Sequence, residues 1–327
     1  MNATQPNSYP TDISVITPVS TALERVKQVL FRPFDLGKWC VIGFCAWLAL
    51  LGQQGGGGGG GNFNFGSHSG PSRESLMEGF DRAKHYVSEN AIWIVPLVVV
   101  VLLVAVGLAL LFNWLSSRGK FMFLHCVALN KAEVVVPLNQ FAREAMSLFW
   151  FRLGLGLIGA VVAVPFIALI AVLVVGMVKS EAANVAGVVL SAGALLFLIA
   201  CGIFFFVIRK LTMDFVVPIM FLRRQKCLES WRELRRLFAG NLGNFILYFL
   251  FQLVLAMVIG MAVIIVVIAT CCIAGCFLAL PYVGTVLLLP VHVFNRAYSL
   301  YYLAQFGSAF NVFALEQTVP PVGASPA

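Results

Sequence analysis

Long apolar stretches alternate along the chain with short basic segments. Residues 91–117, 153–178, 182–208 and 237–295 contain no Asp, Glu, Lys or Arg. About 20 apolar residues make a helix long enough to cross a hydrocarbon core, so the last run can hold two crossings. In hydrocarbon, backbone N–H and C=O groups must be satisfied within the segment, which leaves helices or a closed barrel. Barrel strands alternate apolar and polar residues over about ten positions, and the run AVIIVVIA from Ala262 to Ala269 does not alternate. The pattern predicts an all-α fold, a polytopic helical membrane bundle of about six transmembrane helices in three hairpins. The expected spans are 39–51, 92–112, 149–178, 185–208, 245–269 and 277–294. They form one transmembrane domain over 20–312, between a flexible tail at 1–19 and a disordered tail at 313–327.

Two of these spans are irregular. The stretch 39–51 gives about 20 Å of helix against a core of about 30 Å. It either borrows length from RPFDLGK by snorkelling Lys38 or dips in without crossing. The last hairpin has no charged turn, only TCCIAGC followed by Pro281 and Pro290, so it is tight or partly re-entrant. The first span opens into a loop at 52–90 that starts with the glycine run Gly55–Gly61. Glycine at that density resists ordering, which predicts a flexible tether.

Three basic segments read as amphipathic helices that feed the odd-numbered spans. In TALERVKQVLF, Thr21 and Glu24 have capping-box spacing, and Leu23, Val26 and Leu30 share a face. In NQFAREAMSLFWFR, Asn139 is positioned to cap and Phe141, Ala145 and Leu148 form a stripe. In SWRELRRLFAGN, Ser230 and Glu233 repeat the box spacing, Trp231, Leu234 and Phe238 are expected to face lipid, and Gly240 to end the helix. Cationic side chains next to a bilayer favour anionic lipid by about 1 kcal/mol each. Arg25, Lys27, Arg32, Lys38, Arg223, Arg224, Arg232, Arg235 and Arg236 are therefore the expected headgroup contacts.

Composition agrees with the pattern. The chain of 327 residues is 60% hydrophobic and 11% charged, with mean hydropathy +0.93, whereas soluble domains carry about 25% charged residues. The net charge of +8 changes the picture through its distribution. With six spans, only Arg73, Arg82, Lys84 and Lys179 of the 22 lysines and arginines lie on the face opposite the termini. The positive-inside rule then predicts cytoplasmic termini in a multi-pass protein of the cell (inner) membrane. The same distribution argues against nucleic acid as a partner. The polar N-terminal stretch has no compact apolar core behind basic residues, so no cleaved signal peptide is expected.

Several segments carry a resemblance. LFRPFDLGKWCVIGFCAWLALLG, the Gly-rich GNFNFG, MDFVVPIMFLR and RAYSLYYLAQFG are similar to the pattern of an uncharacterised family of prokaryotic polytopic membrane proteins. The similarity runs from Val26 to Gly307. It implies an integral-membrane protein without an assigned reaction. A more distant likeness, to membrane domains attached to glycerophosphodiester phosphodiesterases, rests on hydropathy alone. The catalytic domain of those enzymes is absent from the sequence, so their activity does not carry over.

Candidate chemistry is sparse. No metalloprotease helix, P-loop or nucleophile elbow occurs, and polyglycine matches a dinucleotide fingerprint only trivially. Eight cysteines lack paired zinc spacing. Cys271, Cys272 and Cys276 are close enough in sequence to chelate or pair, but read more simply as packing residues or free thiols. Asp214, between Arg209/Lys210 and an apolar run stopped by Pro218, is the most suggestive acid. An interfacial ion pair or a helix cap is its simpler role. His292, Asn295 and Arg296 have the i, i+3, i+4 spacing of one helix face.

No catalytic residue, metal site or cofactor is expected. The favoured reading is a non-enzymatic protein with a structural, scaffolding or assembly role. Its partners would be the lipid bilayer with anionic headgroups at the cytoplasmic face, and a protein partner or further copies of itself. The alternative is a small-solute transporter or channel built from three parallel hairpins, and a lipid-modifying enzyme using Asp214 or His292 ranks third.

Overall fold

The structure is a computed structural model that describes residues 13–51, 85, 89–179, 185–270 and 273–318. The Gly55–Gly61 run, most of its loop, residues 1–12 and 319–327 of the terminal tails and the Cys271–Cys272 pair lie outside these residues. Among the described residues, every regular element is helical. They are α1 (Thr17–Val26), α2 (Leu36–Leu50), α3 (Ala91–Leu129), α4 (Val135–Gln140), α5 (Ala142–Lys179), α6 (Val185–Leu211), α7 (Val217–Arg223), α8 (Cys227–Gly240), α9 (Leu242–Ala269), α10 (Ile273–Ala279), α11 (Pro281–Leu287), α12 (Leu289–Ala304) and α13 (Ala314–Thr318). π-helical turns at Lys27–Phe31 and Thr212–Val216 extend α1 and join α6 to α7.

Among the described residues, four helices are long and apolar enough to cross a membrane, not six: Ile92–Leu129, Ala142–Gly176, Val185–Arg223 and Leu242–Ala269. The two other expected spans differ for physical reasons. In the first, α2 has only 15 residues because Asp35 caps its start, its side chain accepting from Gly37 N at 2.8 Å, and the helix ends at Leu50. In the last, the chain over 277–294 is broken into α10, α11 and α12 at Leu280 and Leu288. Pro281 and Pro290 begin the new helices, where a missing N–H costs nothing.

The chain divides into two compact units, one of Met1–Leu51, Trp114–Phe151 and Ile208–Ala327, the other of Gly52–Asn113 and Arg152–Val207. In the second unit, large apolar side chains point outward on all sides: Val161 is 73% exposed, Val172 70% and Phe206 65%. Helices apolar all round belong in a lipid environment. Phe166 and Phe197 stack at 4.3 Å within this unit.

The first unit has a true core, containing Phe121, Leu148, Phe215, Phe245, Tyr248, Tyr298 and Tyr302, all nearly inaccessible. Within it α1 packs along α12, and α2 along α11. The three expected amphipathic segments meet protein here. Phe141, Ala145 and Leu148 are buried, as are Val26 and Leu30, but Leu23 is 50% exposed. Leu234, expected against lipid, is only 1% exposed and packs into the core.

The expected caps differ too. α1 begins four residues before Thr21, with Ser14 Oγ accepting from Ile16 N and Thr17 N, and Thr21 donates to Pro18 O inside the helix. Asn139 lies inside α4. α8 starts at Cys227, so Glu229 and not Glu233 reaches back, accepting from Lys226 N at 3.3 Å. Pro18 and the residues just ahead of Cys227 set these starts earlier than the box spacing does.

Gly119 lets α3 approach α2 closely. A Cβ there would lie 2.6 Å from Ala49 N and 2.6 Å from Leu48 C, so backbone would have to move. Gly107, in the same helix, has nothing within 4 Å. Gly119→Ala should destabilise the protein by about 1–3 kcal/mol, and Gly107→Ala should be neutral or slightly stabilising. Denaturation midpoints in mild detergent compare the two.

Candidate functional site

A polar cluster forms where the π-turn Thr212–Val216 meets α9 and α12. Pro218 has no N–H to give the carbonyl of Asp214 four residues earlier. The helix accommodates this with a π-turn, in which Val217 N donates to Thr212 O, and it continues through Pro218 to Arg223 without the expected stop. π-Turns inside helices recur at functional sites. Here the turn carries Asp214, which is 8% exposed.

Asp214 Oδ2 pairs with Lys210 Nζ at 3.0 Å, one turn earlier, and accepts from Tyr248 Oη at 3.1 Å. Gln252 Nε2 donates to the same phenol oxygen at 3.0 Å. Arg296 Nη1 donates to Met213 O at 2.6 Å. Its Nε and Nη2 are shielded from solvent and have no hydrogen-bond partner, although the residue as a whole is partly exposed. Burial lowers the Arg296 pKa to about 10, with the charge of Asp214 and the Tyr248 phenol acting in the opposite direction. The guanidinium therefore remains protonated at neutral pH.

An aromatic wall surrounds this cluster. Tyr248 lies 4.6 Å from Tyr302 and 5.7 Å from Tyr298, ring centroid to centroid, and Phe215 lies 5.0 Å from Tyr248. Tyr298 donates to Val15 O at 3.0 Å and Tyr302 to Asn244 O at 2.7 Å. These hydroxyls satisfy backbone carbonyls that the rings would otherwise bury unpaired.

Of the residues singled out by sequence, Asp214 and Arg296 come together. His292 is partly buried one turn before Arg296, while Asn295 is exposed and outside the cluster. Lys210 was named beside Asp214 from the sequence, whereas Tyr248 and Gln252 were missed as partners. The available signal was the polar pair Tyr248 and Gln252, one turn apart in an otherwise apolar run.

A second polar centre is formed by Arg25, where sequence placed a lipid headgroup. Arg25 is 4% exposed. Its Nε and Nη2 donate to Val127 O at 3.0 Å, Nη2 donates to Ala128 O at 2.7 Å, and Nη1 pairs with Glu316 at 2.8 Å. Val127 and Ala128 belong to the last turn of α3, where carbonyls have no helical donor and the dipole favours a cation. Phe313 lies under the guanidinium at 5.1 Å.

Other expected headgroup contacts also have protein partners. Lys38 donates to Asn130 Oδ1 at 2.8 Å, and Arg223 pairs with Glu233 at 2.7 Å. Arg224, in left-handed conformation at the end of α7, donates to Gln140 O at 2.6 Å and lies 3.8 Å above the Phe141 ring. Lys27, Arg32, Arg232, Arg235 and Arg236 are exposed. No group of three metal-ligating side chains occurs among the described residues.

A family model for a family of unknown function, DUF7544, matches residues 13–289. The chain belongs to that family. No curated protein and no solved structure matches it. The DUF7544 match covers the LFRPFDLGKW and DFVVPIMFLR segments and ends before RAYSLYYLAQFG. It carries no activity and gives no support to a phosphodiesterase likeness.

Two predictions follow from the buried groups. Asp214→Ala leaves Lys210 and Arg296 without their acid and should cost about 3 kcal/mol, whereas Tyr248→Phe removes one hydrogen bond and should cost about 1 kcal/mol; chemical denaturation in detergent measures both. Burial pushes the Cys227 thiol and the Tyr302 phenol each up to about 12. Both hold their protons more tightly when folded, so stability is full below about pH 9 and falls as pH rises toward 12. Cys227→Ala should flatten the early part of that fall in thermal midpoints taken between pH 8 and 11.

Proposed function

We propose that the chain is a non-enzymatic integral protein of the cytoplasmic membrane with a scaffolding or assembly role. The observation that carries this reading is the use of its buried charged groups. Arg25 and Arg224 join separate helices through backbone carbonyls, and Asp214 does so through the Tyr248 phenol, an arrangement suited to a rigid platform.

The same contacts support an orientation. Arg25 on α1 binds the last carbonyls of α3, so these two elements share one side of the membrane. The apolar first half of α3 enters from the other side, and the chain must therefore cross once between α1 and Ile92. Tyr302 on α12 binds Asn244 at the start of α9, and α9 is itself long enough to cross. The chain must then return between Thr270 and α12. The short α2 and the broken α10–α11 pair are the proposed routes for these two returns. Both termini then lie on the cytoplasmic side, which the positive-inside rule favours.

In that orientation Arg232, Arg235 and Arg236 on α8 are exposed within a few turns of Leu242, where α9 begins. Anionic headgroups of the inner leaflet are their proposed partners.

The transporter reading is kept because of one observation, the buried Asp214–Lys210–Tyr248 cluster beside Arg296. Proteoliposomes of the purified protein separate the two. The scaffold reading predicts no solute or ion flux above empty vesicles, together with a stoichiometric partner or oligomer on purification in mild detergent. Substrate-dependent flux abolished by Asp214→Asn would replace it with the transporter. For the orientation, an alkaline phosphatase fused after Gly66 should be active, and a fusion after Gly240 inactive; the reverse pattern would overturn it.

A further inference from the structure

The Nε–H and one N–H of Nη2 lie parallel on one edge of a guanidinium and form the two-pronged fork that fits a carboxylate or phosphate. In Arg296 this edge is the one without a partner, because Nη1 is the nitrogen held by Met213 O. We propose that the Nε–Nη2 edge of Arg296 is a binding site for an oxoanion, a carboxylate or a phosphate group.

Three observations carry this beyond a chance orphan. First, both donors are shielded from solvent, and leaving charged donors buried and unpaired costs several kcal/mol. An acceptor in the fork removes that cost. Second, the fork is oriented. Met213 O lies in the π-turn imposed by Pro218, and its bond to Nη1 at 2.6 Å fixes the guanidinium plane. Third, the local charge leaves room for an anion. Lys210 and Arg296 face a single acid, Asp214, whose Oδ2 is engaged by Lys210 and Tyr248. One further negative charge makes the group neutral.

Arg296 as a whole is partly exposed, although the fork itself is shielded from solvent. The chemistry is shared by a soluble anion and a phospholipid headgroup. This site goes beyond the scaffold reading, which does not depend on it.

The test uses the full chain purified in mild detergent, with ionic strength matched by chloride. Inorganic phosphate, acetate and short-chain phosphatidic acid are titrated while thermal unfolding is followed. The site predicts a saturable rise in midpoint of roughly 5 °C at about a hundredfold excess over Kd. Arg296→Lys keeps the charge, lacks the fork and should abolish the rise. A response to phosphate or acetate identifies a soluble anion; a response to phosphatidic acid alone identifies a lipid headgroup. No response to any of the three, or an equal response in Arg296→Lys, overturns the proposal. Should Arg296→Lys fail to fold, Asp214→Asn removes the nearby negative charge and should tighten anion binding several-fold; unchanged affinity would overturn the proposal.

Discussion

The last turn of a long apolar helix has carbonyls that nothing in the helix can satisfy, and the first unit depends on how this is met at the end of α3. Arg25 meets it. One guanidinium takes Val127 O and Ala128 O from α3, a carboxylate from α13 and the face of Phe313, all while 4% exposed. A lysine could supply the charge but not this fork of donors. Segments separated by about a hundred and by nearly three hundred residues thereby share one buried ion. Asn130, left-handed just beyond the helix, turns the chain away and holds Lys38.

A second constraint acts through Pro218. Its missing N–H produces the π-turn, the π-turn points Asp214 inward, and Asp214 gathers Lys210 and Tyr248. The tyrosine wall around it ties α9 and α12 to the N-terminal segment through Tyr302 and Tyr298. Sequence, backbone geometry and packing thus lead to one buried polar junction. Within it the Nε–Nη2 edge of Arg296 is buried and has no hydrogen-bond partner.

The four long helices were legible in the sequence because charge-free runs of more than 20 residues have few other solutions. The first and last spans were less so, since a 15-residue helix and a run divided by Pro281 and Pro290 keep the hydropathy of a span but lose its continuous length. Caps were misread where Pro18 and Ser14 start α1 earlier than Thr21 would. Arg25 was misread for a deeper reason. Charge pattern alone cannot distinguish a cation at a headgroup from one at a helix end, because both environments are negative. Asp214 and Arg296 were visible as isolated charges beside apolar runs, but their juxtaposition, 82 positions apart in sequence, needs the tertiary fold.

The central claim is that Arg25 holds α1, the end of α3 and α13 as one structural knot. Hydrogen–deuterium exchange on Arg25→Gln in mild detergent tests it most directly. The account predicts that amides of α1, of residues 123–129 and of residues 314–318 lose protection together, while α9 keeps its own. Loss of protection confined to α1, with the end of α3 unchanged, would contradict it.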